Sequence, residues 1–236
     1  MISDLLEVPY EDKKTVWATV AEENSIYIFN SGNFDLATHV SLPNNSTCFG
    51  ICLHHQYVLI GSTDKVFIFE RNGEQIGEWK AHCGSIRFLF SSPEHEERLW
   101  TAAGSKICVW DLSVDGLLTL KKLKEISAHD TRITAMKLLK VPHVSTDECG
   151  TVTLEDEVWT SSYDYNCLFW NTQSFHPHYE MKLPHCKELI RCFAQYHNQV
   201  FMGSSYRDSD DMKGNLYMYN FDVVLSNSVE NTKETE

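Results

Sequence analysis

A chain of 236 residues with 33 acidic and 20 basic side chains carries a net charge of −13, which argues against nucleic acid or an anionic membrane as partner. Its 42% apolar content supports one sizeable core, and no apolar run approaches the ~18 residues of a membrane helix. Eight cysteines without a C-x-x-C pair, and no signal peptide, argue against a disulfide framework and for reduced, buried thiols in a cytoplasmic protein.

The first predicted strand is ISDLLEV (2–8). VWATVAEENSIYIFN (16–30) follows as two strands rich in β-branched and aromatic residues, with a polar turn at Glu22-Glu23-Asn24. A more polar strand, LATHVSL (36–42), comes next. The same order then recurs as TCFGICL (47–53), VLIGSTDKVFIFE (58–70) and EQIGEWKA (74–81). The third set is SIRFLF (85–90), LWTAAGSKICVWD (99–111) and LTLKKLKEISA (118–128). The fourth is ITAMKLL (133–139), VWTSSYDYNCLFWN (158–171) and YEMKLP (179–184). The fifth is LIRCFAQ (189–195), VFMGSSYRDSDDMKGNLYMYN (200–220) and VVLSN (223–227).

The apolar anchors Trp17, Leu59, Trp100, Trp159 and Phe201 step by 42, 41, 59 and 42 residues. The closing aromatics Phe29, Phe69, Trp110, Trp170 and Tyr219 step by 40, 41, 60 and 49. Two polar insertions, over 141–157 and 206–213, account for the long steps. A fixed period near forty with four strands per unit predicts an all-β propeller of four-stranded antiparallel blades. The expected blades are 1–42, 43–81, 84–128, 132–184 and 188–227, with an acidic flexible tail over 226–236. A ring larger than five blades would need blades or domains outside this chain.

The fourth repeat carries a specific constellation: His129 in SAHDTRI, Thr160 on the next strand but one, Asp164 in the following turn, and Trp170 six residues on. It resembles the WD-repeat propellers, in which residues so placed form a hydrogen-bonded line across the blade. That resemblance implies a structural role for all four. The third repeat has His82 and Trp110 but Gly104-Ser105-Lys106 where the aspartate belongs. The fifth has His185 and Tyr219, and the first two lack a matching histidine. Repeats of the form VW-x-G-x-x-D-x-x-x-x-x-W-N also resemble the divergent propellers at the C-termini of small-GTPase regulators, among them DENN-domain and Rho-type exchange factors and the leucine-rich-repeat Roco kinases, and VFMGSSYRDSDDMKGNLYMYN is similar in style.

No catalytic or metal signature emerges. His54-His55, His82-Cys83, His176, His178 and His185-Cys186 are isolated pairs or single residues, read as loop residues, where zinc needs four convergent ligands. Asp208, Asp210 and Asp211 lack the spaced ligands of a calcium loop. There is no G-x-S-x-G and no phosphate loop. Propeller enzymes place carboxylates or metals around the central channel, and the first strands of the blades, ITAMKLL and LIRCFAQ among them, are expected to line that channel and to bring no acidic residue.

The expected function is therefore a non-catalytic protein-interaction scaffold without cofactor, in a signalling or trafficking protein, plausible as an appendage to a small-GTPase regulator. The alternatives are a propeller enzyme of lactonase or glycosidase type and an adaptor subunit. Partner contacts are expected from Lys106, Arg132, Tyr165 and Arg87, residues on the loop face and of types favoured at binding hot spots. A second surface is an acidic arm of Asp147, Glu148, Glu155, Asp156 and Glu157. The net charge favours partners with basic surfaces.

Overall fold

The computed structural model describes residues 2–43, 46–92, 95–114, 118–144, 152–182, 188–208 and 211–221. They form five four-stranded antiparallel sheets arranged as a five-bladed β-propeller. Blade 1 comprises β1 (Ile2–Tyr10), β2 (Lys13–Val20), β3 (Ser25–Asn30) and β4 (Leu36–Ser41). Blade 2 comprises β5 (Ile51–His54), β6 (Tyr57–Gly61), β7 (Lys65–Glu70) and β8 (Gln75–Lys80). Blade 3 comprises β9 (Ile86–Ser92), β10 (His95–Ala103), β11 (Lys106–Val114) and β12 (Leu118–Ser127). Blade 4 comprises β13 (Ile133–Val144), β14 (Val152–Ser162), β15 (Asn166–Asn171) and β16 (Pro177–Lys182). Blade 5 comprises β17 (Leu189–Tyr196), β18 (Gln199–Asp208), β19 (Asp211–Lys213) and β20 (Leu216–Asn220). The regular helix among the described residues is one 3-10 turn, Ala21–Glu23.

The first strands line the axis, with β1 against β5, β5 against β9, β9 against β13 and β13 against β17. Successive side chains of a strand point to opposite faces, so a blade between two neighbours buries both sets. In β6, Val58 and Ile60 enter the core with Trp17 and Phe69 of blades 1 and 2. Leu59, between them, enters the next core with Ile86 and Leu99 of blade 3. The same alternation sends Leu99 and Trp100 to opposite sides of blade 3, and Val158 and Trp159 to opposite sides of blade 4. This is why the central strands read as unbroken apolar runs.

Four inter-blade cores therefore join the five blades, and the described residues form no fifth between blade 5 and blade 1. Each terminal blade keeps an open face. On blade 1 it carries Leu5 and Leu36, 58% and 53% exposed. On blade 5 it carries Leu216 and Met218, 71% and 54% exposed, on the side of β20 opposite Tyr217.

Three expectations change. The insertion over 141–157 is largely strand: β13 and β14 continue their pairing through Val144 and Val152. Two residues assigned to an acidic arm are buried there, Asp156 at 2% and Glu157 at 4% exposure. Lys140 Nζ lies 2.7 Å from Asp156. Glu157 accepts from Trp159 Nε1 at 3.0 Å and meets His143 and His178 at 2.9 and 3.0 Å. The polar insert of the fifth repeat is a hairpin, with β18 running to Asp208 and β19 opening at Asp211. His54 is no loop residue: it ends β5 fully buried, with Nδ1 2.8 Å from Ser91 Oγ and Nε2 2.8 Å from the Leu112 carbonyl. Asp147, Glu148, Cys149, His185, Cys186, Asp210, the strand expected at 223–227 and the tail 226–236 lie outside the described residues.

Candidate functional site

The loops joining each blade to the next and the turns between second and third strands share one end of the propeller. Blade 4 shows how this end is built. The structure brings His129, Thr160, Asp164 and Trp170 into one line. Trp170 Nε1 donates to Thr160 Oγ1 at 2.9 Å, and Thr160 Oγ1 lies 2.8 Å from His129 Nε2. His129 Nδ1 lies 3.0 Å from Asp164 Oδ2. Burial lowers the His129 pKa, only partly offset by Asp164. The imidazole is therefore neutral, and one tautomer satisfies every atom: Nδ1–H donates to Asp164 while Nε2 accepts from the threonine hydroxyl. Asp164 also accepts from the backbone amides of Asp130 at 3.1 Å and Asn166 at 3.0 Å.

Blade 3 repeats this line without its acid. Trp110 Nε1 donates to Thr101 Oγ1 at 2.8 Å, and Thr101 Oγ1 lies 2.8 Å from His82 Nε2. The turn that should bring the carboxylate is Gly104-Ser105, with Gly104 in the left-handed region at φ +60°. Among the described residues, the side chain that meets His82 Nδ1 is the Cys108 thiol, at 3.9 Å. Burial drives the His82 pKa down to about 4 and that of Cys108 up to about 11.

A cavity of about 600 Å³ opens at this place. His82 lines it, with Lys80, Arg87, Lys106, Lys122 and Arg132 as cations and Glu125 as the acid. Lys106 and Lys122 hydrogen-bond Glu125 at 2.8 and 2.9 Å and hold its pKa down to about 2. With Asp64 3.9 Å from Lys80, five cations face two carboxylates, and the wall is positive in a chain whose net charge is −13.

The cationic side chains rest on aromatic rings. The Arg87 guanidinium sits 4.9 Å from the Phe49 ring centre, and Lys122 Nζ 5.5 Å from that of Trp110. Arg132 and Arg191 flank Tyr163 at 5.3 and 5.2 Å. Arg191 also donates to the Tyr163 hydroxyl at 3.1 Å and lowers its pKa.

Of the four residues expected to contact partners, Lys106, Arg132 and Arg87 line this cavity. Tyr165 does not; it stands in the next blade's turn at φ +66°, 42% exposed. Sequence reading missed Lys80, Lys122, Tyr163 and Arg191. The one available signal was the missing aspartate of repeat three.

One further expectation needs correction. The axial strands do bring acid: β1 carries Asp4 and Glu7. Asp4 accepts from the Ile51 amide at 3.2 Å and the Leu5 amide at 2.9 Å, and burial raises its pKa. Glu7 pairs with Lys14 at 2.7 Å.

No family model and no curated protein matches the chain. Solved structures do. A chain of the Chaetomium thermophilum Polycomb Repressive Complex 2 bound to GSK126 matches with a TM-score of 0.63 and 16% identity, over 89% of this chain and 52% of that one. A chain of the Mitotic Checkpoint Complex matches with a TM-score of 0.60 and 10% identity, over 91% and 63%. A chain of apo ctPRC2 in an autoinhibited state matches with a TM-score of 0.60 and 15% identity, over 89% and 51%. The chain spans between half and two thirds of the length of these structures. At such identities the likeness is one of fold.

Proposed function

We propose that this chain is a non-catalytic protein-interaction scaffold, a WD-repeat-like module of a cytoplasmic signalling or trafficking protein. The observation that carries this reading is the loop face, where a rigid propeller end presents Lys106, Arg132, Tyr163, Tyr165 and Arg191 together. Arginine and tyrosine are enriched at binding hot spots, and a propeller holds their loops in place. The matched chains come from Polycomb Repressive Complex 2 and the Mitotic Checkpoint Complex, which supports the same role. A propeller enzyme would converge carboxylates on the axis, whereas Asp4 is taken up by backbone amides and Glu7 by Lys14. The six described cysteines are free thiols, four of them buried, which suits a reducing compartment. The −13 charge favours partners with basic surfaces over most of the molecule, with the cationic cavity as the exception.

The open faces of blades 1 and 5 support a place within a larger assembly, with a further blade as the natural cover for each. The matched structures extend well beyond the aligned part, as such a ring would require. An appendage to a small-GTPase regulator, suggested by the spelling of the fifth repeat, is the specific form of that arrangement.

Affinity capture tests the surface. The double variant Arg132→Ala/Tyr165→Ala should lose the partners recovered by the wild-type chain. Asp12→Ala/Asn33→Ala, at the opposite end of blade 1, should keep them. If the opposite pair loses partners and the loop-face pair retains them, the surface assignment is wrong.

A further inference from the structure

We propose that the cavity of blade 3 binds an acidic segment of a partner protein, one of whose carboxylates occupies the place that Asp164 fills in blade 4. The inference deepens the interaction-scaffold reading and rests on it. Three independent observations point to this occupant.

The first is an incomplete hydrogen-bonded line. Blades 3 and 4 share the histidine, the threonine and the tryptophan at nearly equal distances. They differ in the carboxylate and in its turn, which has two residues in blade 3 and three in blade 4. In blade 4, Asp164 satisfies His129 Nδ1 and two backbone amides. In blade 3 the tautomer that accepts from Thr101 leaves His82 Nδ1–H with a distant thiol, and His82 lines the cavity. A carboxylate is the group this line lacks.

The second is charge. The cavity wall gathers five cations; Glu125 neutralises part of it through Lys106 and Lys122, and Asp64 lies 3.9 Å from Lys80, which leaves Arg87 and Arg132 as the wall's excess charge. Concentrating that charge costs free energy by mutual repulsion, which an anionic ligand relieves. The long-range field of a −13 chain opposes acidic partners, so an acidic segment gains here from the local wall.

The third is preparation. Arg87, Lys122 and Arg132 already rest on aromatic rings, which limits the ordering they would lose on binding. The ≈ 600 Å³ of space exceeds one carboxylate and suits a short run of a peptide.

The test uses the whole chain and a fluorescein-labelled octaglutamate peptide, with octaglutamine as the neutral control. Octaglutamate should bind and octaglutamine should not. Raising NaCl from about 50 to 200 mM should weaken binding roughly tenfold. Lys106→Glu and Gly104→Asp should each weaken it by at least about tenfold, the second by placing a carboxylate in the turn six residues before Trp110. Circular dichroism on each variant reports folding. A measurement on the wild-type chain keeps the proposal falsifiable if both variants fail to fold. On adding octaglutamate, the His82 imidazole should titrate at higher pH by NMR, because a carboxylate stabilises its charged form.

Equal affinity for octaglutamine, no effect from either folded variant, or an unmoved His82 titration would overturn the proposal. So would a phosphoserine peptide that binds where octaglutamate does not. If octaglutamate fails while Arg132→Ala/Tyr165→Ala still loses captured partners, the scaffold reading stands and only the acidic ligand is wrong.

Discussion

Removing the Asp164 carboxylate gives the most direct energetic test of the loop-face construction. Asp164→Ala deletes three hydrogen bonds: to His129 Nδ1 at 3.0 Å, to the Asp130 amide at 3.1 Å and to the Asn166 amide at 3.0 Å. They are not equivalent. The His129 side chain is fully buried, so its Nδ1–H is left without water or partner. Such an orphan costs about 1–3 kcal/mol. Asp130 is exposed and Asn166 half-buried, so their amides recover water at ~0.5 kcal/mol each. The expected loss is about 2–4 kcal/mol, or roughly 4–16 °C in Tm for a domain of this size. Asp164→Asn keeps an acceptor oxygen and should lose about half as much. The assay is thermal unfolding by circular dichroism with urea midpoints in parallel. An Asp164→Ala chain whose Tm and urea midpoint both match wild type would refute the argument that this carboxylate completes the line.

The buried imidazoles predict acid sensitivity. His54, His82 and His129 all have their pKa lowered by burial, His82 to about 4. Unfolded histidines protonate near pH 6.5, so below that the unfolded chain binds more protons and stability falls as pH drops. For His82 alone the loss between pH 6.5 and 4 is on the order of 3 kcal/mol. A Tm that stays flat from pH 7.5 to 5 contradicts this. Gly61→Ala should destabilise by about 1–3 kcal/mol, because its new Cβ would lie 2.5 Å from the Ile86 carbonyl oxygen of the next blade. Gly32→Ala, with nothing within 4 Å, should change stability by less than ~0.5 kcal/mol, and equal urea midpoints for the two would defeat the packing argument. Leu59→Ala empties a fully buried site and should cost about 2–5 kcal/mol, whereas Leu36→Ala on the open face of blade 1 should cost under ~0.5. Comparable losses for both leucines would mean that the blade 1 face is covered.

Much of this fold is legible in residue order because each inner blade is bounded on both sides. Strands such as VLIG and VFIF must feed two cores, so they are apolar throughout and their aromatic ends mark each period. The extension of blade 4 was hidden for a physical reason. Pro142 and the acidic run Glu155-Asp156-Glu157 read as loop, yet Lys140 pairs with Asp156, and His143 and His178 lie 2.9 and 3.0 Å from Glu157, all from other strands. No local spacing reveals such partners. The line through His129 was legible because its members sit on one blade at set intervals. The cavity was not, because its cations come from two blades and the loop before a third. Lys80 ends β8, Arg87 lies on β9, Lys106 opens β11 and Arg132 precedes β13. Lys122 depends on a bulge: β12 skips one residue between its pairings with Val109 and Trp110, which sets Lys122 opposite Trp110. A regular alternation counted along LTLKKLKEIS cannot foresee that step.

Hydrogen exchange on the intact chain, with and without octaglutamate, reports whether the blade 3 cavity takes an acidic segment. Slowed exchange is expected at the loop face of blade 3 alone, at the amides of 82–87, 103–106 and 132–133. Protection confined to the opposite end of the propeller, or exchange unchanged at saturating peptide, would contradict it.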